Sequence, residues 1–535
     1  MKRISTLLLS ILLLTGILSS CSSEDPVVLF FAVDSPAVTF DPQIVSDTTA
    51  SIIVRNCFEG LLRKDENGNI INGAAKSWTV SPDKLTYTFR LREDAMWHLT
   101  SNAEKQLEGK LPENFPLNVT AYDFKFALQR ACDPMTGAHQ SYMLYNIENA
   151  PEILSGNKNR SELGVRAVDR YTLEIKLSKP QSNFPEVLTE PLCMPCNEVF
   201  FNACSGRYGT LIAFSLSNGP FYLSRFDETS YRINKAADYV GESVAVPDYI
   251  WLYVTDDNET LREVLETDDY SGAVISEDVY ADLKIKKSMT VIQTPNVTRS
   301  FIFNINDTIL SNAEIRKALC AATDCTLVAS NAQKNAANGI VPSSAAAENV
   351  AYHPITFNEK GAPQHLKKGL EELGILTADV VLLCESQYED AMRRLLQEWQ
   401  RILGISINFS VKTGTSEEVK KAVSSGAYQI AFYPITAQTD SSYEFFGTFL
   451  ENSPYNITGY SSENTAELLS QLYSGNDSSF RSVYSSLENE ISQANIILPV
   501  WEENSYFVCT KDVKDVIYFS GNDKLYFHKA TNEKQ

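Results

Sequence analysis

VVLLCESQYEDAMRRLLQEWQRILGISINFSV, residues 380–411, decides the fold class. Val380 to Cys384 is an apolar run of strand length. Ser386, followed three residues later by Glu389, has the pattern of a capping box at a helix start. Met392, Leu395, Leu396, Trp399, Ile402 and Leu403 then recur at helical spacing until Gly404 ends the pattern. Ile405, Ile407, Phe409 and Val411 alternate with polar residues, which predicts a second strand. Strands joined through a helix of this length lie parallel, with a right-handed crossover. The stretch therefore predicts a β-α-β unit and a mixed α/β chain.

Other segments carry the same two periods. Phe301, Phe303 and Ile305 alternate as a strand and lead to a helix from about Ala313 to Ala322. Tyr87, Phe89 and Leu91 alternate after the Pro82-Asp83 turn, and Thr120 with Asp123 caps a helix carrying Phe124, Leu128 and Ala131. The sequence holds no internal repeat and no low-complexity tract. Its 535 residues suffice for two to four domains, and 44% hydrophobic with 10% aromatic residues is ordinary globular composition. Disorder, collagen and small disulfide scaffolds are excluded.

Lys plus Arg number 46 against 67 Asp plus Glu, for a net charge of −21. No general basic surface is available to neutralise phosphates, so nucleic acid is not an expected partner. The N-terminus has its own chemistry. Lys2 and Arg3 precede an apolar run from Leu7 to Leu18, too short for the ~20 residues that span a bilayer, so it reads as an export signal over residues 1–20. Leu18-Ser19-Ser20-Cys21 resembles a bacterial lipobox, which implies cleavage before Cys21 and acylation of its thiol. The mature chain is then expected outside the cytoplasm, lipid-anchored to the outer face of the cytoplasmic membrane or to the periplasmic side in a two-membrane cell. Nine further cysteines remain, an odd number, and runs such as Val381-Leu382-Leu383-Cys384 suit small buried hydrophobes; mostly free thiols are expected. Cys193-Met194-Pro195-Cys196 has redox spacing without the strand-to-helix setting such a pair needs.

Catalytic signatures are absent: there is no G-x-S-x-G, H-E-x-x-H or G-x-x-x-x-G-K-[ST]. The five histidines never fall at i, i+2 or i, i+4, so no compact metal site is encoded. Asp65-Glu66-Asn67-Gly68-Asn69 has oxygen ligands at alternate positions, but Ile70 and Lys76 stand where a calcium loop needs Gly and Glu, so a hairpin turn is expected.

A set of short motifs follows one order along the chain: Phe40-Asp41-Pro42, Phe58-Glu59-Gly60-Leu61, Ala75-Lys76-Ser77-Trp78, Thr86 to Arg92 with Trp97, Thr120-Ala121-Tyr122-Asp123-Phe124 with Gln129-Arg130, Asn218-Gly219-Pro220-Phe221, Ile315-Arg316-Lys317-Ala318-Leu319 with Asp324, and Leu403-Gly404-Ile405. In this order they resemble the extracellular solute-binding proteins of peptide-type ABC importers, the oligopeptide- and dipeptide-binding family 5. The resemblance covers nearly the whole mature length. It implies a two-lobed periplasmic-binding-protein-like α/β fold of the type II, large peptide-binding subclass, with an extra subdomain in the first lobe and two strands crossing between lobes. On that pattern the first lobe takes residues 21–52, 165–297 and 498–535, the extra subdomain 53–164, and the second lobe 298–497.

Such proteins are not enzymes. They capture a peptide in the interlobe cleft and hand it to a membrane permease and its ATPase; no cofactor, no metal and a monomeric chain are implied. Pairing a peptide as an added β-strand gives affinity whatever its sequence. The resemblance places the first-lobe backbone for this at Pro36, Ala37 and Val38, and the second-lobe wall at Tyr433, Ile435, Thr436, Gln438 and Asp440. Of the aromatics near that wall, Tyr433 is placed facing ligand or core with equal weight, and Phe445 and Phe446 in the core.

Two departures bear on the ligand. Where the family has a Gly-Trp pair and then an acid for the peptide's amine, this chain has Pro434-Ile435 and Gln438. Pro434 has no N–H and Gln438 no charge, leaving Asp440 two residues later as the candidate anchor. A non-peptide solute (a metal chelate or sugar) or a signalling peptide is the alternative. The second departure is the insertion from His98 to Val119, largely polar and read as a surface hairpin, with a lip over the cleft or a permease contact as the alternative.

Overall fold

The structure, a computed structural model, describes residues 26–227, 229–255, 257–267, 270–284, 286–346, 350, 355–436, 442–449, 456–474, 477–519 and 524–534. Cys21, Gln438 and Asp440 lie outside the described residues.

Among these residues one eleven-stranded sheet runs through the molecule. Its strands are β1 (Val28–Val33), β2 (Phe221–Phe226), β3 (Ser230–Lys235), β4 (Tyr249–Val254), β5 (Gly272–Ser276), β6 (Met289–Phe303), β7 (Asn335–Ala336), β8 (Ala378–Glu385), β9 (Ile407–Gly414), β10 (Ile430–Thr436) and β11 (Ile497–Thr510). The order is β9-β8-β10-β6-β11-β5-β1-β4-β3-β2, with β7 beside β11. β6 and β11 pair antiparallel along nearly their whole length, from Met289↔Thr510 to Ile302↔Ile497. The half of β6 from Val297 to Phe303 also carries β10, while the Gly272–Ser276 strand joins β11 only over Ser505 to Cys509. The molecule is thus two-lobed, and the two long strands cross between the lobes. Their register slips between Thr294 and Val297, a bulge at the crossing point.

The second lobe is layered on both faces of its sheet. Phe301, Phe303, Phe432, Trp399 and Trp501 pack in one apolar cluster, under helices Ala313–Ala321, Ala362–Leu373 and Glu389–Leu403. Ile302, Leu383 and Ala431 point the other way into a second cluster, under helices Ser416–Ser424 and Asp477–Gln493. Burial on both faces explains why these strands read as near-continuous apolar runs.

The β-α-β reading holds in outline: β8 and β9 are parallel in register Ala378↔Ile407 to Glu385↔Gly414, joined by helix Glu389–Leu403. Its two ends need correction. Ser386 does not cap the helix, because its hydroxyl donates to Gly414 O at 3.2 Å at the end of the neighbouring strand. The Glu389 carboxylate is taken by Arg393 at 2.8 Å, and the helix starts after Tyr388 without a side-chain cap. Gly404 ends it with φ +79°, which leaves Ile405 91% exposed and starts β9 at Ile407. Likewise β6 ends at Phe303, short of Ile305.

In the extra subdomain, strands Ala75–Val80, Thr86–Leu91, Thr172–Lys176 and Val165–Asp169 form a four-stranded sheet in that order. Residues 165–176, which the sequence division gives to the first lobe, complete this small sheet. Thr120 and Asp123 form the predicted capping box of helix Ala121–Ala131. Leu62–Lys64 and Ile70–Asn72 pair as the predicted hairpin, with Asp65 Oδ1 accepting the N–H groups of Asn67 and Asn69 at 2.9 Å each. The His98 to Val119 insertion is not a hairpin: it carries helix Ser101–Gln106, and Ala103 and Leu107 are fully buried. That i, i+4 apolar pair draws it onto the first lobe.

Several recurring motif residues hold the frame. Buried Asp41 takes Arg130 at 2.6 Å, and Arg130 also donates to Gln43 at 2.6 Å and lies 4.1 Å over Phe201. Buried Glu59 accepts from Arg92 at 2.8 Å and from Tyr239 at 2.6 Å. Asn218 binds the Glu59 backbone in both directions, and a Cβ on Gly219 would fall 2.7 Å from the backbone of Cys57, so only glycine fits there. Cys57, Cys132, Cys193, Cys196, Cys204, Cys320, Cys384 and Cys509 are buried and Cys325 half-buried, and none of these nine forms a disulfide. Among the described residues no helix is long and apolar enough to cross a membrane.

Candidate functional site

In a sheet of parallel strands flanked by helices, ligand contacts gather at the carboxyl ends of the strands. On the second lobe those ends are Glu385, Gly414 and Thr436, with the start of helix Ser416–Ser424 beside them. On the first lobe the chain leaves β1 at Val33 and runs through residues 34–38. The two sets face each other. Lys420 of the second lobe lies close enough to Asp47 of the first to stabilise its carboxylate, although burial still pushes the Asp47 carboxyl up. Lys179 Nζ also donates to Ser470 Oγ at 2.5 Å.

Pro36, Ala37 and Val38 lie in this facing segment, outside any strand; Val38 is 78% exposed. Pro36 has no N–H, and both remaining backbone donors already have partners: Ala37 N–H donates to Tyr231 Oη at 2.8 Å and Val38 N–H to Asp47 Oδ2 at 3.1 Å. Asp47 also caps helix Thr48–Cys57 through Ala50 N–H at 2.7 Å, so one carboxylate fixes both the helix start and the approach of the segment.

Tyr433, Ile435 and Thr436 form the end of β10. One edge of that strand is filled, with Tyr433 opposite Ser300, Ile435 opposite Thr298 and Thr436 opposite Val297. Its other edge pairs with β8 only at Ile430 and Ala431. From Phe432 onward that edge belongs to no described strand pair. Tyr433 is half-buried, which raises its pKa, with Arg299, Glu385 and Glu417 within electrostatic reach. Tyr433, Ile435 and Thr436 also line a cavity of about 210 Å³ with Phe445; Phe445 and Phe446 are both buried in the apolar core beneath it, as expected. A cavity of about 290 Å³ between helices Cys325–Asn331 and Glu389–Leu403 contains none of the predicted site residues.

Sequence reasoning missed the charged cluster behind the wall. Arg299, 6% exposed, spans Glu385 at 2.8 Å and Glu503 at 2.9 Å, and its guanidinium lies 4.6 Å over the Tyr388 ring. Glu503 also accepts from Tyr388 at 3.2 Å and Trp501 at 2.7 Å. Burial alone would raise the Glu503 carboxyl, but the Arg299 charge holds it below the usual range. The cluster ties the end of β8 to both crossing strands. One signal was available: Glu385 is the first polar residue after the apolar run of β8. Among the described residues, no group of three or more His, Cys, Asp or Glu side chains is placed to hold a metal ion.

Two lobes joined by paired crossing strands, with a site at strand ends between them, define a solute-binding protein of the periplasmic type. The model of the bacterial extracellular solute-binding proteins, family 5, matches residues 69–456, and the chain belongs to that family. It is a family of binding proteins, not enzymes. The dipeptide-binding protein DppE of Bacillus subtilis is 26% identical over 508 residues, covering 92% of this chain and 89% of that one. The oligopeptide-binding protein OppA of the same organism is 24% identical over 99% of both chains. The structure of Listeria monocytogenes OppA bound to peptide superposes with a TM-score of 0.78 at 23% identity, over 96% of this chain and 100% of that one.

Proposed function

We propose that this chain is the peptide-binding component of an ABC importer, held to the membrane by lipid on Cys21 and delivering its ligand to a permease and its ATPase. The observation that carries the reading is the open edge of β10 from Phe432 to Thr436, at the mouth of an interlobe cleft, in a family whose similar members DppE and OppA are named for dipeptides and oligopeptides. A peptide laid along that edge adds a strand to the sheet, so its backbone supplies affinity whatever its side chains. Lobe closure over it at the β6–β11 bulge follows as a hinge motion. The division we propose has the first lobe at 21–52, 177–297 and 498–535, the extra subdomain at 53–176 and the second lobe at 298–497. Pro36, Ala37 and Val38 form the opposing lip, and Asp440 replaces the absent amine-binding acid. The uncharged Gln438 favours a second reading, in which the solute is a metal chelate, a sugar or a signalling peptide with no exposed amine.

The test is native mass spectrometry of the chain expressed from Ser22 onward, before and after partial unfolding to strip bound material, with sequencing of anything released. A ladder of short peptides is expected, and Asp440→Ala should weaken their retention. A protein that releases nothing and shows no thermal shift with peptide mixtures sinks the reading. Lipidation is checked apart from binding: the full chain should incorporate a labelled fatty acid in a bacterial host, and Cys21→Ser should not.

A further inference from the structure

The first-lobe sheet turns one face to the main apolar core, which takes Leu29, Phe31, Ile233, Ile250 and Leu252. On the opposite face, among the described residues, helices Asn258–Leu265 and Glu277–Asp282 pack over Ala32, Ala273 and Ile275. Beside that cover lies a row with a different chemistry. Phe30 on β1, Trp251 on β4, Arg232 on β3 and Arg225 on β2 stand directly opposite one another across four neighbouring strands. Tyr253 stacks on Trp251 with ring centroids 5.6 Å apart and on Phe30 at 6.4 Å. Phe30, Tyr249, Trp251 and Tyr253 are half-buried and belong to none of the apolar clusters, and Arg225 is exposed.

The fold does not need the two arginines. They are cross-strand partners, and like charges so placed destabilise a sheet. The chain has 67 acidic residues against 46 basic ones, yet among the described residues neither guanidinium has a carboxylate partner. Arg232 lies 3.9 Å over the Tyr249 ring, and Arg225 6.0 Å over Trp251. Such ring faces hold a cation in place without neutralising it. Arg232 Nε is buried and has no hydrogen-bond partner. The row therefore offers uncompensated positive charge beside aromatic rings, which suits an anionic occupant with apolar matter behind it.

The place where the chain enters the sheet selects that occupant. β1 begins at Val28, opposite Tyr249. Asp248 fixes the entry, its carboxylate accepting Val27 N–H at 2.9 Å and its own N–H donating to Val27 O at 2.9 Å. Cys21 stands seven positions before Val28, a reach of at most about 25 Å. From Phe30 to Arg225 the row crosses three strand spacings, about 14 Å. Lipid on Cys21 thus keeps the whole row within reach of the bilayer it enters. Trp and Tyr settle at the headgroup level of a bilayer, and arginine is drawn to anionic headgroups.

We propose that the row from Phe30 through Trp251 and Arg232 to Arg225 is a membrane-docking face, which lies against anionic phospholipid headgroups and sets the orientation of the first lobe on the membrane. The proposal rests on the lipid-anchor reading above and is separate from the choice of ligand. The net charge of −21 repels the same headgroups, so contact is confined to this face.

The test holds the chain from Ser22 onward, by an N-terminal hexahistidine tag, on vesicles containing nickel-chelating lipid and headgroup-spin-labelled lipid in phosphatidylcholine, with or without phosphatidylglycerol. Tryptophan emission should be quenched on the phosphatidylglycerol vesicles and not on phosphatidylcholine alone. Trp251→Phe should remove the quenching, since Trp97, Trp399 and Trp501 are fully buried. One cation near an anionic surface changes association about fivefold, so Arg225→Gln with Arg232→Gln should lower the ratio of docked to undocked chain about 30-fold. Circular dichroism should show that variant folded, because it loses two opposed like charges and no described ion pair. Quenching that is absent, equal on both vesicle types, or unchanged by the arginine or Trp251 substitutions overturns the docking face. The tag supplies the tether, so none of these results depends on acylation. A full chain that takes up no labelled fatty acid overturns the lipid-anchor reading instead, whatever the tagged chain does.

Discussion

Arg299 shows what a single buried charge does where two long strands cross between the lobes. Both of its terminal nitrogens are committed to carboxylates, so Arg299→Ala would leave Glu385 and Glu503 without the guanidinium that bridges them. Removing one member of a buried ion cluster costs about 3–5 kcal/mol. A loss of that size in the denaturant midpoint is expected, and a loss under ~1 kcal/mol would show the cluster to be solvated. Glu488 gives a pH signature. It is 4% exposed and accepts Ile340 N–H at 3.0 Å; burial pushes its carboxyl up to about 7 from the ordinary 4.5. Between about pH 4.5 and 7 the folded chain keeps a proton that the unfolded chain has released, so stability falls as pH rises through that window, by about 3 kcal/mol in all. Asp123, raised by burial to about 6, acts with the same sign, and His528, lowered by burial to about 4, with the opposite sign. The contrast between the native chain and Glu488→Gln isolates the one group: the variant's melting temperature should decline less from pH 5 to 7.5, and parallel curves would refute the assignment. Little of this was legible in the sequence. Arg130 and Arg92 read as motif letters, but their acids lie 89 and 33 positions away, and only the fold brings each pair together.

At the scale of elements, period carried most of the reading. The stripe from Met392 to Leu403 is buried where spacing put it, with Trp399 fully buried and donating to Thr323 Oγ1 at 3.0 Å. Trp399→Ala should cost about 3–5 kcal/mol in chemical unfolding. Ser386→Ala should stay within about 0.5 kcal/mol, because its hydroxyl makes a single exposed bond rather than a helix cap; a loss above ~1 kcal/mol would restore the capping box. That box failed in the sequence for a nonlocal reason, since the acceptor that drew Ser386 away belongs to Gly414, on another strand. The insertion after Trp97 failed for a local one: its many polar residues masked the Ala103 and Leu107 pair that anchors a short helix.

At the scale of the whole molecule, the two-lobed plan came from ordered motifs rather than from periodicity, because pairing among strands hundreds of residues apart leaves no local pattern. The lobes touch at few described points besides the crossing strands, including Lys179 with Ser470 and Lys334 with Glu277 at 3.1 Å. Small-angle scattering should therefore show a smaller radius of gyration at saturating peptide than without it; no change would argue against hinge closure. The placement of β11 has a different consequence, one for the birth of the protein. This strand, formed by residues 497–510, lies in the interior of the great sheet, between β6 and β5. During synthesis every residue before Ile497 emerges ahead of that strand, and until it arrives β6 and β5 expose the unpaired edges that invite aggregation. Neither lobe can close its sheet early. A truncation just before Ile497 should strand both lobes, not only the one nearer the end.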